Sequence, residues 1–257
     1  MDLKLEKPST VKGYRELDAW IENIRQTKGD ENWREVVRWY CKHDLFYLLT
    51  RVLSFGRVVH SEYKTLFHEH QLYIDMCRQV EYELYITQRG IDTSGRRSSK
   101  STVRTHSGII QLILNYPEIS IFIFSKTLQL AAKHLQVIKT ELETNEFLKF
   151  LFPEILWSSP LDAVKNQMTV WAIDRGIRVQ RQSNRITQTV ECHAIYGGGP
   201  IGTGPDAIFV DDLEDSDMVA TPDKITTMTD AFSAAVSLLT PVVLRRPLIM
   251  ITNTIFS

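Results

Sequence analysis

Three short apolar runs constrain what this chain can fold into more than any other feature. Ile119-Ser-Ile-Phe-Ile-Phe124, Ala207-Ile-Phe-Val210 and Pro247-Leu-Ile-Met-Ile251 are of strand length and almost continuously apolar. Such strands belong inside a sheet that helices cover on both faces. The sequence between them agrees. A helix is predicted from about Lys100 to Leu114, another over about 127–143, and a third from Pro222 to about Leu239. A further strand is predicted at Glu83-Leu-Tyr-Ile-Thr-Gln88. Strand, loop, helix, strand, helix is the βαβ pattern of a parallel sheet. The expected fold class is α/β, with a central, mostly parallel sheet flanked by helices.

Two regions stand outside that pattern. Leu17, Trp20, Ile21 and Ile24 repeat at helical spacing between Tyr14 and about Gln26. Gly29-Asp30 breaks the repeat, and an aromatic-rich helix follows from about Trp33 to Leu53. Residues 1–60 are therefore expected to form an N-terminal helical segment, a lid or a subunit contact, beside a core at 61–257. Phe67 to Gln71 opens another helix that reaches about Val80. Met168 to Trp171, Ile177 to Gln180 and Thr187 to Glu191 alternate in polarity and predict short strands, a candidate β-insertion.

The bulk numbers exclude several classes. At 257 residues the chain can hold one large domain or a domain with an appendage. A net charge of −1 leaves any nucleic-acid contact to a local patch. Cys41, Cys77 and Cys192 are scattered without a C-x-x-C pair, which points away from structural zinc and a disulfide framework. No segment approaches the roughly 18 consecutive apolar residues of a membrane span.

The chemistry concentrates at residues 94–102, Ser-Gly-Arg-Arg-Ser-Ser-Lys-Ser-Thr. This segment follows the first predicted strand and opens a helix. A turn of small residues lets successive N–H groups converge on phosphate. Lys100 can reach the β/γ-phosphates, and the Ser101 hydroxyl can hold Mg²⁺. Gly95, Arg96, Arg97, Ser98, Ser99 and Thr102 complete the candidate cradle. Ser94 and Ser99 stand where the G-x-x-x-x-G-K-[ST] pattern has glycine, and serine tolerates positive φ less well.

Asp211-Asp212 closes the second apolar run about 110 residues after the loop. An acidic strand end of this kind can complete a metal shell and polarise a water. Asp211 is the candidate metal-side residue. Asp212 or Glu214 is the candidate water-activating residue, while Asp215 and Asp217 read as solvated surface charges. Thr252-Asn253-Thr254 ends the third run with hydroxyls and an amide that can sense a γ-phosphate. His70-Gln71, upstream of the loop, offers an amide able to read an adenine edge. An exposed helix residue is an equal reading of the same pair.

Taken in order, these features resemble the ATPase domain of the tailed-phage terminase large subunit, over about residues 40–254. That family often carries a deviant loop with an arginine a few residues before the lysine, as in Gly95-Arg96-Arg97-Ser98-Ser99-Lys100-Ser101. The resemblance implies that Arg96 reaches the γ-phosphate and that Gln71 reads adenine. It also implies a RecA-like ASCE P-loop fold, ATP and Mg²⁺ as cofactors, and a motor that drives double-stranded DNA into a procapsid. Its implied partners are double-stranded DNA, the portal protein, the terminase small subunit and further copies in a ring. Its implied location is the host cytoplasm, transiently at the portal. The family's C-terminal nuclease domain is expected to be absent, because the chain stops three residues after Thr254, so no DNA cleavage is expected.

Many members place an arginine just before the acidic strand, where it acts across a subunit boundary. Gly202-Thr203-Gly204-Pro205 has none. Arg178, Arg181 and Arg185 are the nearest candidates for that trans-acting role, for DNA-backbone contacts, or for a solvated basic face. Two other functions compete with the motor. A superfamily 2 helicase fragment shares the same motifs but needs a second RecA-like domain. A binding module whose serine-substituted loop no longer supports catalysis needs none.

Overall fold

The computed structural model describes residues 5–54, 70–94, 98–196, 204–213 and 221–253. Among them a seven-stranded sheet runs in the order β1-β7-β6-β2-β5-β4-β3. Its strands are β1 (Arg89–Asp92), β2 (Ile121–Ser125), β3 (Trp171–Ala172), β4 (Gly176–Ile177), β5 (Val190–Ala194), β6 (Ala207–Asp211) and β7 (Leu248–Thr252). The five from β1 to β5 in that order are parallel, and β4 and β3 add an antiparallel edge. The α/β class with a mostly parallel sheet is thus present.

Alternation along the strands explains why both faces are covered. Phe209, Met250, Ile121 and Ile123 point into the larger core. Ile208, Val210, Phe122 and Phe124 point into a smaller one, closed by Met228, Ala231 and Phe232 of the Pro222–Ser237 helix. The larger core also takes Tyr14, Leu17, Val37, Tyr40 and Phe46, so the N-terminal helical segment shares its apolar interior with the sheet.

The helix Val11–His43 starts on a Thr10 cap and departs from helical geometry at Gly29, with φ 83° and ψ 170°. That is the expected break, which only glycine makes cheaply. The aromatic-rich helix does not run unbroken to Leu53. It stops at His43, Asp44 caps the short helix Leu45–Tyr47 through its carboxylate, and a wide π-type turn spans Leu48–Val52.

Residues 83–88 correct the sequence reading. They are not a strand. Glu83–Thr87 continue the helix Gln71–Tyr82 as a π-type turn, and Gln88 ends it in the left-handed region at φ 54°. The alternating pattern misled because Glu83 and Leu84 are buried side by side, which a half-buried strand does not allow. The strand begins one residue after Gln88. The expected insertion is also partly different. Thr187 to Glu191 leads into β5, which is a full member of the parallel sheet beside β2.

Candidate functional site

Register brings the chemistry together. Asp92 of β1 lies opposite Thr252 of β7, and Thr252 lies opposite Asp211 of β6. Three polar strand ends therefore form one row at the C-terminal edge of the sheet, where open α/β sheets bind their ligands. β7 sits between the strand that precedes the loop and the strand that carries the acid.

Lys100 is buried at the start of the helical stretch. Its ammonium donates to the Ser94 carbonyl at 2.7 Å and to the Asn253 carbonyl at 2.5 Å. The candidate loop lysine and the candidate coupling segment thus touch, although 153 residues separate them. Asn253 is anchored in turn by its N–H on the Asp92 carbonyl at 2.8 Å. Ser99 adopts φ 58°. The position demands the left-handed backbone that a glycine would supply, and serine occupies it at a cost of roughly 1–2 kcal/mol. The Ser99 carbonyl then accepts from Val103 N–H at 3.1 Å, which starts the wide π-type turn Ser101–Ser107.

That turn aims its hydroxyls at Asp211. Ser101 Oγ donates to Oδ1 at 3.0 Å, and Thr105 Oγ1 donates to Oδ2 at 2.5 Å. Asp211 is fully buried. Among the described residues its cationic candidate is His134, whose Nδ1 lies 4.0 Å from Oδ2. Burial therefore holds the Asp211 carboxyl above the usual carboxylate range, and neighbouring Asp212 adds to the rise against the pull of His134 and the two hydroxyls. His134 also shares a hydrogen bond with His106 at 3.1 Å. Burial, with the charge of His134, pushes His106 down to about 3, so it stays neutral at ordinary pH.

A buried carboxylate with hydroxyl donors and no tight cation among the described residues is suited to receive one. The Ser101 and Asp211 oxygens fit Mg²⁺, a hard ion that keeps most of its shell as water and phosphate. Among the described residues no cluster of three or more His, Cys, Asp or Glu could enclose a metal by itself.

The other candidates divide. Thr252 and Asn253 are buried beside the row. Asp212 follows directly, with φ 48° and its N–H on the Thr252 carbonyl at 3.0 Å. Thr102 lies in the same turn, its carbonyl accepting from Ser107 Oγ. Gln71 is exposed, and its amide donates to Ser9 O at 2.8 Å and Asp75 Oδ1 at 3.0 Å. His70 is exposed at the start of that helix. Gly95, Arg96, Arg97, Glu214, Asp215, Asp217 and Thr254 lie outside the described residues.

Arg178, Arg181 and Arg185 sit at the opposite edge of the sheet, before β5. Arg185 donates to Asp206 Oδ2 at 2.6 Å, and Arg178 donates to Gln188 at 2.9 Å. Arg181 donates to the carbonyl of Arg185 at 2.8 Å, and burial and Arg178 push its guanidinium down to about 10. They lie at the N-terminal ends of the parallel strands, whereas Lys100 lies at the C-terminal ends.

Thr105, His134, Glu83 and Arg104 were not singled out in the sequence. Thr105 had a usable signal, a hydroxyl four residues after Ser101 on the same helical stretch. Glu83 and Arg104 form a buried ion pair under Gly90. That pair lines a cavity of about 460 Å³ together with Met76, Gln79, Ile91 and Ser94.

No helix among the described residues is long and apolar enough to cross a membrane. Compared with known proteins, the sequence matches no family model and no curated protein.

Proposed function

We propose that this chain is an ATP hydrolase of the RecA-like ASCE type, the motor domain of a viral terminase large subunit that moves double-stranded DNA into a procapsid. The observation that carries the reading is the convergence on Asp211. A fully buried strand-end carboxylate is held by the hydroxyl that follows the loop lysine, and that lysine contacts the segment ending the next strand.

In this reading Lys100 holds the phosphates, with Arg96 alongside. Ser101 and Asp211 hold Mg²⁺, which when bound neutralises charge on the transferring phosphoryl group. Asp212 or Glu214 orients the attacking water. An anion in the loop would compete with the Asn253 carbonyl for the Lys100 ammonium, so phosphate binding and release would pull on the end of β7. That supports the coupling role of Thr252, Asn253 and Thr254. DNA, portal, small subunit and ring neighbours remain partners of the proposal.

The test is ATP turnover against protein concentration, with and without double-stranded DNA. Turnover per subunit that rises with concentration is expected, because a neighbour's arginine would complete each site and is worth orders of magnitude in rate. Lys100→Ala and Asp211→Ala should each abolish turnover. Undiminished hydrolysis in either variant would sink the assignment.

A second reading has one observation in its favour. The left-handed Ser99 strains the loop that a competent site would use. A nucleotide-independent DNA- or portal-binding module would tolerate that strain. Nucleotide affinity lost in Lys100→Ala would argue against it.

A further inference from the structure

Between the helix Gln71–Tyr82, β1 and the Ser101–Ser107 turn lies the cavity of about 460 Å³, within the range of small-molecule sites. Met76, Val80, Ile91 and Val103 give it apolar walls suited to the faces of a flat ring. Its polar lining holds the Glu83–Arg104 ion pair, 6% and 2% exposed, with Asp92, Thr93 and Ser94 along the other side. Gln79, at the exposed rim, donates its amide N–H to Glu83 Oε1 at 2.8 Å. Beyond the contact of Arg104 Nη2 with Glu83 Oε2, these two atoms and Arg104 Nε have no hydrogen-bond partner among the described residues. A Cβ at Gly90 would collide with both side chains, so the backbone of β1 rests directly on the pair.

A buried ion pair is poor value for stability, since apolar residues of like volume often serve as well. At this place the pair backs the cavity wall, with the exposed Gln79 amide in front of the Glu83 carboxylate. The cavity also reaches Ser94, at the start of the loop. The Ser94 carbonyl accepts from the Lys100 ammonium. An anion at Lys100 and a ring in the cavity can therefore belong to one molecule.

We propose that Glu83 and Arg104, with Gln79 at the rim, read the base of the nucleotide whose phosphates Lys100 binds, and that they set a preference for adenine. The proposal rests on the nucleotide-binding reading above. The adenine amino group would donate to the Glu83 carboxylate on its Oε1 side, held from behind by Arg104, and the adjacent ring nitrogen would accept from the Gln79 amide. The guanine O6 would face that carboxylate acceptor to acceptor. Gln71, engaged with Ser9 and Asp75 outside the cavity lining, has no part in this readout.

The experiment is calorimetric binding of ATP, GTP and inorganic tripolyphosphate to the chain and its variants. ATP is expected to bind about tenfold or more tighter than GTP or tripolyphosphate. Glu83→Gln should bring ATP to within about twofold of tripolyphosphate while leaving tripolyphosphate affinity in place. Gln79→Ala, at an exposed position, should weaken ATP by about threefold or more even if the Glu83 variant does not fold. Discrimination that survives both variants, that follows Gln71→Ala instead, or that is absent because GTP binds as tightly as ATP would overturn the proposal. If tripolyphosphate and ATP both bind and both are lost in Lys100→Ala, the phosphate site stands whatever the base readout does. If neither binds, the nucleotide reading falls and takes this one with it.

Discussion

β6 carries a fully buried aspartate at each end, and the two are treated in opposite ways. Asp206, just before the strand, accepts from Ser120 N–H at 2.9 Å, Val242 N–H at 2.5 Å, Val243 N–H at 2.8 Å and the Arg185 guanidinium at 2.6 Å. A carboxylate has about four lone-pair sites, so Asp206 is saturated and its charge is neutralised. Asp211, about 16 Å along the same strand, has two hydroxyls and a histidine at 4.0 Å. One carboxylate is a staple that ties the N-terminal edge of the sheet together. The other is left short of charge, at the edge where the candidate loop lies. The same contrast separates the two groups of basic residues. Arg185 is paired with a carboxylate, whereas Lys100 donates to the carbonyls of Ser94 and Asn253. A buried acid is thus a functional candidate only when its surroundings fail to compensate it.

The strongest way to break this comparison is at the staple. Asp206→Asn leaves Arg185 buried without its counter-ion and should cost about 3–5 kcal/mol in urea unfolding. The same variant should keep nucleotide affinity per folded molecule, because its site lies at the other edge. If Asp206→Asn proved milder than Asp211→Asn, the two ends would not differ as described.

Asp211→Asn is the sharpening experiment. Removing an uncompensated charge should raise metal-free stability by about 1 kcal/mol while abolishing turnover, the usual trade at a site. The sign has a pH signature. A raised carboxyl pKa means the folded state binds the proton more tightly than the unfolded state, so wild-type stability falls as pH rises through that window. Wild type and Asp211→Asn should therefore melt alike below the usual carboxylate range and diverge as pH rises, the variant becoming the more stable. Saturating Mg²⁺ with nucleotide should close the gap by stabilising wild type only. Parallel melting curves at all pH values would show that Asp211 carries no buried penalty.

What was legible in the sequence follows the same division. Asp211 was visible because an acid that ends an apolar run breaks the strand's own logic. Lys100-Ser101 was visible because its spacing belongs to phosphate chemistry. Asp206 was passed over because Gly204-Pro205-Asp206 reads as an ordinary turn, and its four donors come from three distant segments. His134 and Thr105 are polar residues on helical stretches, and only the placement of β2 beside β6, and of β1 beside β7, turns them toward one carboxylate. β1 was misplaced for a related reason. Arg89-Gly90-Ile91-Asp92 has a single apolar residue, and Ile91 is exposed. No periodicity marks such a strand, while the preceding Glu83 to Gln88 imitates one. Only the burial of Glu83 against Arg104, 21 residues later, settles the local geometry.

The smallest effect probes the strain at the end of the sheet that carries the candidate site. Four described non-glycine residues have positive φ, and two of them, Ser99 and Asp212, flank Lys100 and Asp211. At Ser99 the left-handed backbone costs roughly 1–2 kcal/mol. Glycine would remove that cost but gain freedom in the unfolded chain, which returns about 0.5–1 kcal/mol. Ser99→Gly should therefore stabilise the protein by about 0.5–1 kcal/mol, read as a shift in the urea midpoint at constant slope. Nucleotide affinity should rise in step if the loop strain opposes the phosphate-bound form. A gain in stability with weaker binding would mean that the strained loop is the one that binds. The serine would then be a working part of the site, and the case for a decayed loop would end.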